Sequence, residues 1–460
     1  MHPRFSPRIS RRDLQIERSE CLDEGKDLSA LESEFAALDV PELVESPALQ
    51  ERAVALLDRT ALLPVRGDYL FVEPSRPEDI RRQRGESVAM PGTALGEAAI
   101  LDKVHGAWTG RCCGCMLGKP VEGRLRIEIE KYLRSQGRWP LDGYFSNRAD
   151  EALRAELRLP PREAPLWAET MTRMVEDDDL NYTVVGLALT KRHGRDLLPA
   201  QVLDFWLHHI PYFHTYTAER AAYASAIAGV PAPDAAGDVP GPFSTATWRN
   251  PYREWIGAQI RADFFGYCHP GRPDRAAATA WRDAAASHVK NGIYGEMWVA
   301  AMLAAAWVSD DIDMVIRAGL AQVPRRSRLV RDLEQVLAWR REGRSHEDVV
   351  AAIHETWDEN FRHHWCHTNS NAQIVAAALL WGEHDFGRTL CLAVGPGFDT
   401  DCNGATAGSV LGLMLGRRAL PPQWTEPLRD TLATGVAGYY DVKLIDVARQ
   451  TVELARQLGN

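Results

Sequence analysis

Two runs of glycine at a spacing of four residues, 106/110/114/118 and 404/408/412/416, constrain this chain more than any other feature. Residues four apart share one face of a helix, so each run reads as a helix with a bare stripe down one side. A glycine inside a helix costs about 1 kcal/mol against alanine, and a cost repeated at every turn needs an offset. Close approach of another helix backbone supplies one. Each stripe is therefore expected to face a neighbouring helix, and the two stripes together suit a pairing with each other.

The rest of the chain fits an all-α protein. Helical apolar patterns run over 167–190, 255–266, 276–290, 295–307, 311–320 and 348–360, and strand-type alternation is nearly absent after residue 75. Gly118-Lys119-Pro120 ends the first glycine helix, since proline cannot continue it. Residues 124–165 are mixed and proline-punctuated and read as a loop-rich insertion, and 229–242 read as a Gly/Pro/Ala loop. Residues 1–95 differ in character, with polar helical pieces at 31–38 and 47–57 and a short extended run at 69–72. They hold no glycine-rich loop. This divides the chain into an N-terminal extension of unassigned role, 1–95, and a main domain, 96–460.

Charge and composition narrow the function classes. A net charge of -10 argues against a nucleic-acid surface. No stretch reaches the ~20 uninterrupted apolar residues of a membrane span. The Arg-rich start has no apolar segment behind it, so a disordered tail is expected there rather than a secretory signal. Eight cysteines in 460 residues are too sparse for a secreted disulfide framework. They point to a reducing, cytoplasmic setting, with Cys112, Cys113 and Cys115 as small helix-packing residues.

The chemistry sits in two acidic clusters. Asp399-Thr400-Asp401 precedes the second glycine helix. Residues two apart cannot share a face inside a helix, whereas an extended or turning segment points them the same way. The segment reads as a loop that delivers two carboxylates onto a rigid element. Glu176-Asp177-Asp178-Asp179 lies between apolar residues on both sides, Met171, Met174 and Val175 before it and Val184, Val185 and Leu187 after it. Buried carboxylates at this density must be protonated or neutralised by cations. Oxygen-rich ligation suits Mg²⁺ or Mn²⁺ rather than zinc, and four or five carboxylates suffice for two ions if the clusters converge.

With Gly114-Cys115-Met116-Leu117-Gly118 and Glu122, then Asp177-Asp178-Asp179, then Asp399-Thr400-Asp401 before a Gly/Ala helix, the chain resembles the ADP-ribosylglycohydrolase family from about residue 101 to 415. The resemblance implies an orthogonal all-α multi-helix bundle and a dinuclear Mg²⁺ site. It also implies hydrolysis at the anomeric carbon of an ADP-ribosyl or related ribosyl group, carried by a small molecule or a protein. It assigns metal binding to Asp177, Asp178, Asp179, Asp399 and Asp401, although a frame using residues 176–178 stays open. Glu122 matches the family's mobile glutamate and is the first candidate for a catalytic role, with Asp178 second. Ser287-His288 resembles a substrate-side segment, and 257–261 echoes a glycine-rich loop that meets the diphosphate. His288, Asn291, His367 and Asn369 are the candidate substrate-binding residues.

Three departures stand out. Cys402 replaces a threonine whose hydroxyl helps hold a metal, Cys115 an aspartate and Leu180 a threonine. A thiol is a poor partner for Mg²⁺. The segments 291–297 and 367–371 look like features of a subfamily, which favours a smaller ribosyl substrate over ADP-ribosyl-protein. Two other readings compete. A non-catalytic ribosyl-binding relative would explain the departures but not four intact aspartates. Asp177-Asp178-Asp179-Leu180-Asn181 also resembles the aspartate-rich helix of terpenoid synthases, which use Mg²⁺-diphosphate, yet no later acid follows Asp401 along its helix.

Overall fold

The computed structural model describes residues 8–92 and 95–459; the first part of the expected tail, 1–7, lies outside the described residues. The fold is all-α, as the sequence predicts. The elements that matter for the site are α1 (Arg11–Asp23), α2 (Pro47–Ala61), α3 (Glu97–Gly118), α4 (Asp178–His193), α5 (Thr217–Ile227), α6 (Lys290–Ala306), α7 (Arg362–Cys366), α8 (Thr368–Gly382) and α9 (Thr400–Leu415). No helix among the described residues is long and apolar enough to cross a membrane.

The two glycine stripes meet. A Cβ built on Gly110 would overlap the carbonyl oxygen of Gly408, and one built on Gly408 would overlap that of Gly110. Gly106 and Gly412 face each other in the same way, as do Gly114 and Gly404. The helices α3 and α9 thus run backbone against backbone, which only residues without a side chain allow. At the end of the seam a Cβ on Gly118 would strike Thr400, whose Oγ1 donates to the Gly118 carbonyl at 2.9 Å. The start of α9 is pinned to the end of α3, so Asp401 comes to rest beside Cys115 and Lys119.

Two helical expectations are corrected. Residues 167–177 do not extend α4. The backbone of Met174 pairs instead with the strand β1 (Thr431–Ala433), donating to Thr431 at 2.9 Å and accepting from Ala433 at 3.0 Å. β1 in turn pairs antiparallel with β2 (Asp441–Lys443). Asp177 then leaves the helical region at φ -160° and caps α4 with its side chain. Four adjacent acids therefore sit at a helix start, where the dipole favours them, and not in mid-helix. The pattern over 255–266 is broken because Glu254 and Ile256 bond the backbone of 366–368, Ile256 to Cys366 at 2.9 Å and Thr368 to Glu254 at 3.1 Å. A 3-10 turn, Gln259–Arg261, and the short helix Asp263–Tyr267 form there instead.

The N-terminal extension holds a small apolar core of its own, including Leu14, Cys21, Phe35 and Leu56. It is tied to the main body through buried charge. Arg253 reaches Glu17 at 2.6 Å and Glu24 at 2.8 Å, and Arg328 reaches Glu73 at 2.8 Å. His363 on α7 bonds Asp23 at the end of α1, at 2.9 Å.

The seam leaves no room for added atoms. Gly408→Ala is expected to destabilise the protein by about 1–3 kcal/mol, the cost of overpacking a contact that cannot relax. Gly67, where an added Cβ meets nothing within 4 Å, is the control: Gly67→Ala should stay within about 0.5 kcal/mol of the parent in urea unfolding.

Candidate metal centre

The acidic centre is built where the starts of α4 and α9 meet the end of α3. Asp177 caps α4, its Oδ1 accepting the Asp179 N–H at 2.9 Å. Asp179, the second residue of α4 and fully buried, is held from α3 by Arg111, whose Nη2 donates to its Oδ1 at 2.9 Å. The same guanidinium reaches Asp263 at 2.9 Å, Thr183 at 2.8 Å and the Ile260 carbonyl at 2.6 Å. Every arm of Arg111 is thereby used to fix the floor. Lys119, just past α3, forms a close ion pair with Asp177 Oδ2.

From the other side comes the loop before α9. Phe398 is left-handed at φ 56°, and the turn it makes sends Asp399 and Asp401 toward α4. The Asp399 N–H donates to Asn371 Oδ1 at 3.1 Å, and Asn403 donates to the same oxygen at 2.8 Å. The Cys366 thiol donates to Asp399 Oδ2 at 3.7 Å. Two sets of potential ligand atoms result. One atom from each of Cys115, Asp177, Asp179 and Asp401 falls within 4.8 Å of the others, as does one from each of Asp399, Asp401 and Cys402. Asp401 belongs to both.

The electrostatics are those of a site short of positive charge. Burial, then neighbouring carboxylates, push Asp178 and Asp401 well above the ordinary carboxylate range. Asp179 rises likewise, burial outweighing the pull of Arg111, and Asp399 rises through burial. Asp177 goes the other way: burial would raise it, but Lys119 and the hydrogen bonds from the Asp179 N–H and the Cys115 thiol together lower it. Asp179 Oδ2 and Asp401 Oδ1 are buried and have no hydrogen-bond partner. A bare buried carboxylate oxygen is costly, and two of them in one cluster fit a cation. These residues suit a hard divalent ion.

Glu122 follows the 3-10 turn that ends α3 and remains open to solvent. Its carboxyl is nonetheless raised, by burial of the recess it sits in and by Asp399 and Asp177, against the opposing Lys119. Tyr216, just before α5, feels Asp178 and Glu122 in the same recess; burial first, then those acids, push its hydroxyl up to about 12. Arg362 on α7 lowers both Glu122 and Asp399.

The four candidate substrate-binding residues bond neighbours in the surrounding framework. His367 caps α8 through its Nδ1, which accepts the Asn369 N–H at 3.0 Å, and stacks on Trp357. Asn369 donates to Asp332 at 2.8 Å. Asn291 donates to Glu73 at 2.8 Å and Glu254 at 2.6 Å. His288 pairs with Ser287 at 2.8 Å. All four are buried, and these bonds serve the internal framework, not the carboxylates of the centre. Within the 367–371 segment it is Asn371 that touches the acidic loop. Sequence reasoning also missed Arg111, Lys119, Tyr216, Arg362 and Cys366. Arg111 had a visible signal, the one Lys, Arg, Asp or Glu in the glycine-lined stretch from Gly106 to Gly118.

Glu359 joins the two halves of the recess. Its carboxylate accepts the Arg126 N–H, at 2.9 Å to Oε1, and also that of Phe398. Burial lifts its pKa from an ordinary 4.5 to about 7. A carboxyl raised on folding favours the folded state while protonated. Its contribution is fully present below about pH 4.5 and is lost as the pH rises through about 7. Glu359→Gln should therefore flatten the fall in stability across that window, by up to about 3 kcal/mol, in urea unfolding at a series of pH values.

The sequence model of the ADP-ribosylglycohydrolase family matches residues 96–458. No curated protein matches the chain. A solved structure described as an "ADP-ribosylglycohydrolase-related protein complex" is similar at 19% identity and a TM-score of 0.47, over 78% of this chain and 99% of that one. With a match across nearly the whole main body, the chain belongs to the ADP-ribosylglycohydrolase family.

Proposed function

We propose that this chain is a divalent-cation-dependent hydrolase that cleaves the glycosidic bond at the anomeric carbon of an ADP-ribosyl or related ribosyl compound. Family membership supports a glycosyl hydrolase. The observation that carries the cation dependence is the convergence of carboxylates from α4 and α9, two of whose buried oxygens have no partner. Asp178, Asp179, Asp399 and Asp401, with Asp177 at the edge, would hold at most two hard ions, Mg²⁺ first and Mn²⁺ as the alternative. When bound, such an ion supplies the charge that orients the ribose hydroxyls and the attacking water.

The chain's own groups do the rest. Glu122 accepts a proton from the attacking water or anchors a ribose hydroxyl; its raised pKa brings it nearer neutrality, as a general base requires. Asp178, half-buried at the start of α4, is the second candidate for that role. The water oxygen bonds to the anomeric carbon as the glycosidic bond breaks, and the bonding pair leaves with the aglycone, which gains a proton. The remaining carboxylates offset the oxocarbenium charge that builds on the sugar ring. Burial of 257–261, with the Glu219 carboxylate against Gly257, favours a smaller ribosyl compound over one that lays a diphosphate on that segment. All eight cysteines are free, in keeping with a reducing cytoplasm.

The test is a screen of ribosyl compounds with Mg²⁺, reading released ribose or ADP-ribose by mass. Asp401→Asn keeps the shape but removes a charge, so it should retain the fold and lose at least about 100-fold in kcat/KM, the scale of losing a catalytic electrostatic partner. Full activity in Asp401→Asn would end this reading. Cys402→Thr puts a hard oxygen where a thiol stands, and in calorimetric titration should tighten Mg²⁺ or leave it unchanged. A marked loss of Mg²⁺ affinity would mean that the thiol itself takes part.

A further inference from the structure

We infer that the Lys119 ammonium holds one of the two cation positions of the acidic centre, so that the chain takes a single divalent ion. The inference rests on reading this centre as a cation site.

The two ligand groups differ in what already occupies them. In the group of Cys115, Asp177, Asp179 and Asp401, both oxygens of Asp177 are engaged. Oδ1 accepts the Asp179 N–H and Oδ2 is paired with Lys119 Nζ. Asp179 has given one oxygen to Arg111, and Cys115 brings a thiol where a carboxylate would bring charge. What this group still offers is Asp179 Oδ2 and Asp401 Oδ1. The other group, Asp399, Asp401 and Cys402, is unlike it. Neither aspartate forms an ion pair with a lysine or arginine within 4.0 Å among the described residues.

Lys119 is placed to stay where it is. It follows α3 directly, and α3 is locked to α9 by the glycine seam, so its backbone cannot withdraw without opening that contact. Its Asp177 partner is fully buried, and breaking the pair would strand a charged carboxylate. A divalent ion entering the Asp177 side would meet this ammonium at close range, with like charges repelling in a medium that screens them poorly. An ion bound in the group of Asp399, Asp401 and Cys402 draws on Asp401 and leaves Lys119 undisturbed. The ammonium then supplies, permanently and without exchange, the positive charge that a second ion would bring.

Counting bound Mn²⁺ on the full chain, by calorimetry and by electron paramagnetic resonance, decides the matter without reference to activity. The wild type should bind one ion per chain, with the spectrum of an isolated Mn²⁺. Lys119→Met, nearly isosteric and uncharged, should bind two, with the spectrum of an exchange-coupled pair; Lys119→Gln serves the same purpose should the Met variant misfold. Lys119→Arg should stay at one. Two ions in the wild type would overturn the inference and leave the cation site standing. One ion in each of the uncharged variants would also overturn it, since something other than Lys119 would then exclude the second. No ion at all would overturn both the inference and the proposed function. One ion in a protein that hydrolyses no ribosyl compound would support the inference while sinking the activity.

Discussion

The contact between α3 and α9 is the constraint on which the site depends. Four glycines of α3 and three of α9 bring two backbones together with no side chains between them, and the register of that contact is not adjustable. Sliding one helix by a residue would drive a side chain into the facing carbonyls. Because the seam ends at Gly118 against Thr400, it sets the distance between Lys119 and Glu122 on one chain segment and Asp399 and Asp401 on the other. A loop alone would place these groups loosely. A site that must hold charges within an ångström or so is better served by rigid elements, and here the rigidity comes from the absence of side chains.

The second determinant is charge balance. The centre gathers Asp177, Asp179, Asp399 and Asp401, with Asp178 and Glu122 at its rim. Protein cations answer only part of that charge, Arg111 from beneath and Lys119 from one side. The remainder is what a divalent ion would neutralise. Arg111 and Lys119 play unlike parts. Arg111 spreads its donors over side chains and carbonyls and acts as a fixed strut, whereas Lys119 offers a compact charge at the place where an ion would otherwise go.

Much of this was legible in the sequence for a physical reason. The glycine spacing is a local signal with a large energetic consequence, so it could be read without knowing the fold, and paired aspartates ahead of it marked where the chemistry lies. The misreadings share a cause. Residues 167–177 carry a helical pattern but surrender it to a backbone pairing with Thr431 and Ala433, some 260 residues away. Residues 254–256 do the same with 366–368. Long-range pairing of this kind leaves no periodic trace. The hydrogen-bond partners of His288, Asn291, His367 and Asn369 were hidden likewise, because a polar residue's partner across the fold leaves no local pattern. The links from Arg253 and Arg328 to the N-terminal extension were equally invisible, since each charge finds its partner across the fold.

The central claim is that the carboxylates of α4 and α9 form one cation-binding centre. Anomalous diffraction from crystals grown with Mn²⁺ tests it most directly. The account predicts anomalous density among Asp179, Asp399 and Asp401, with carboxylate oxygens from both helices about 2.0–2.3 Å from the ion, the range for hard divalent cations. A centre that stays empty at saturating Mn²⁺, with the aspartates still converged, would contradict it.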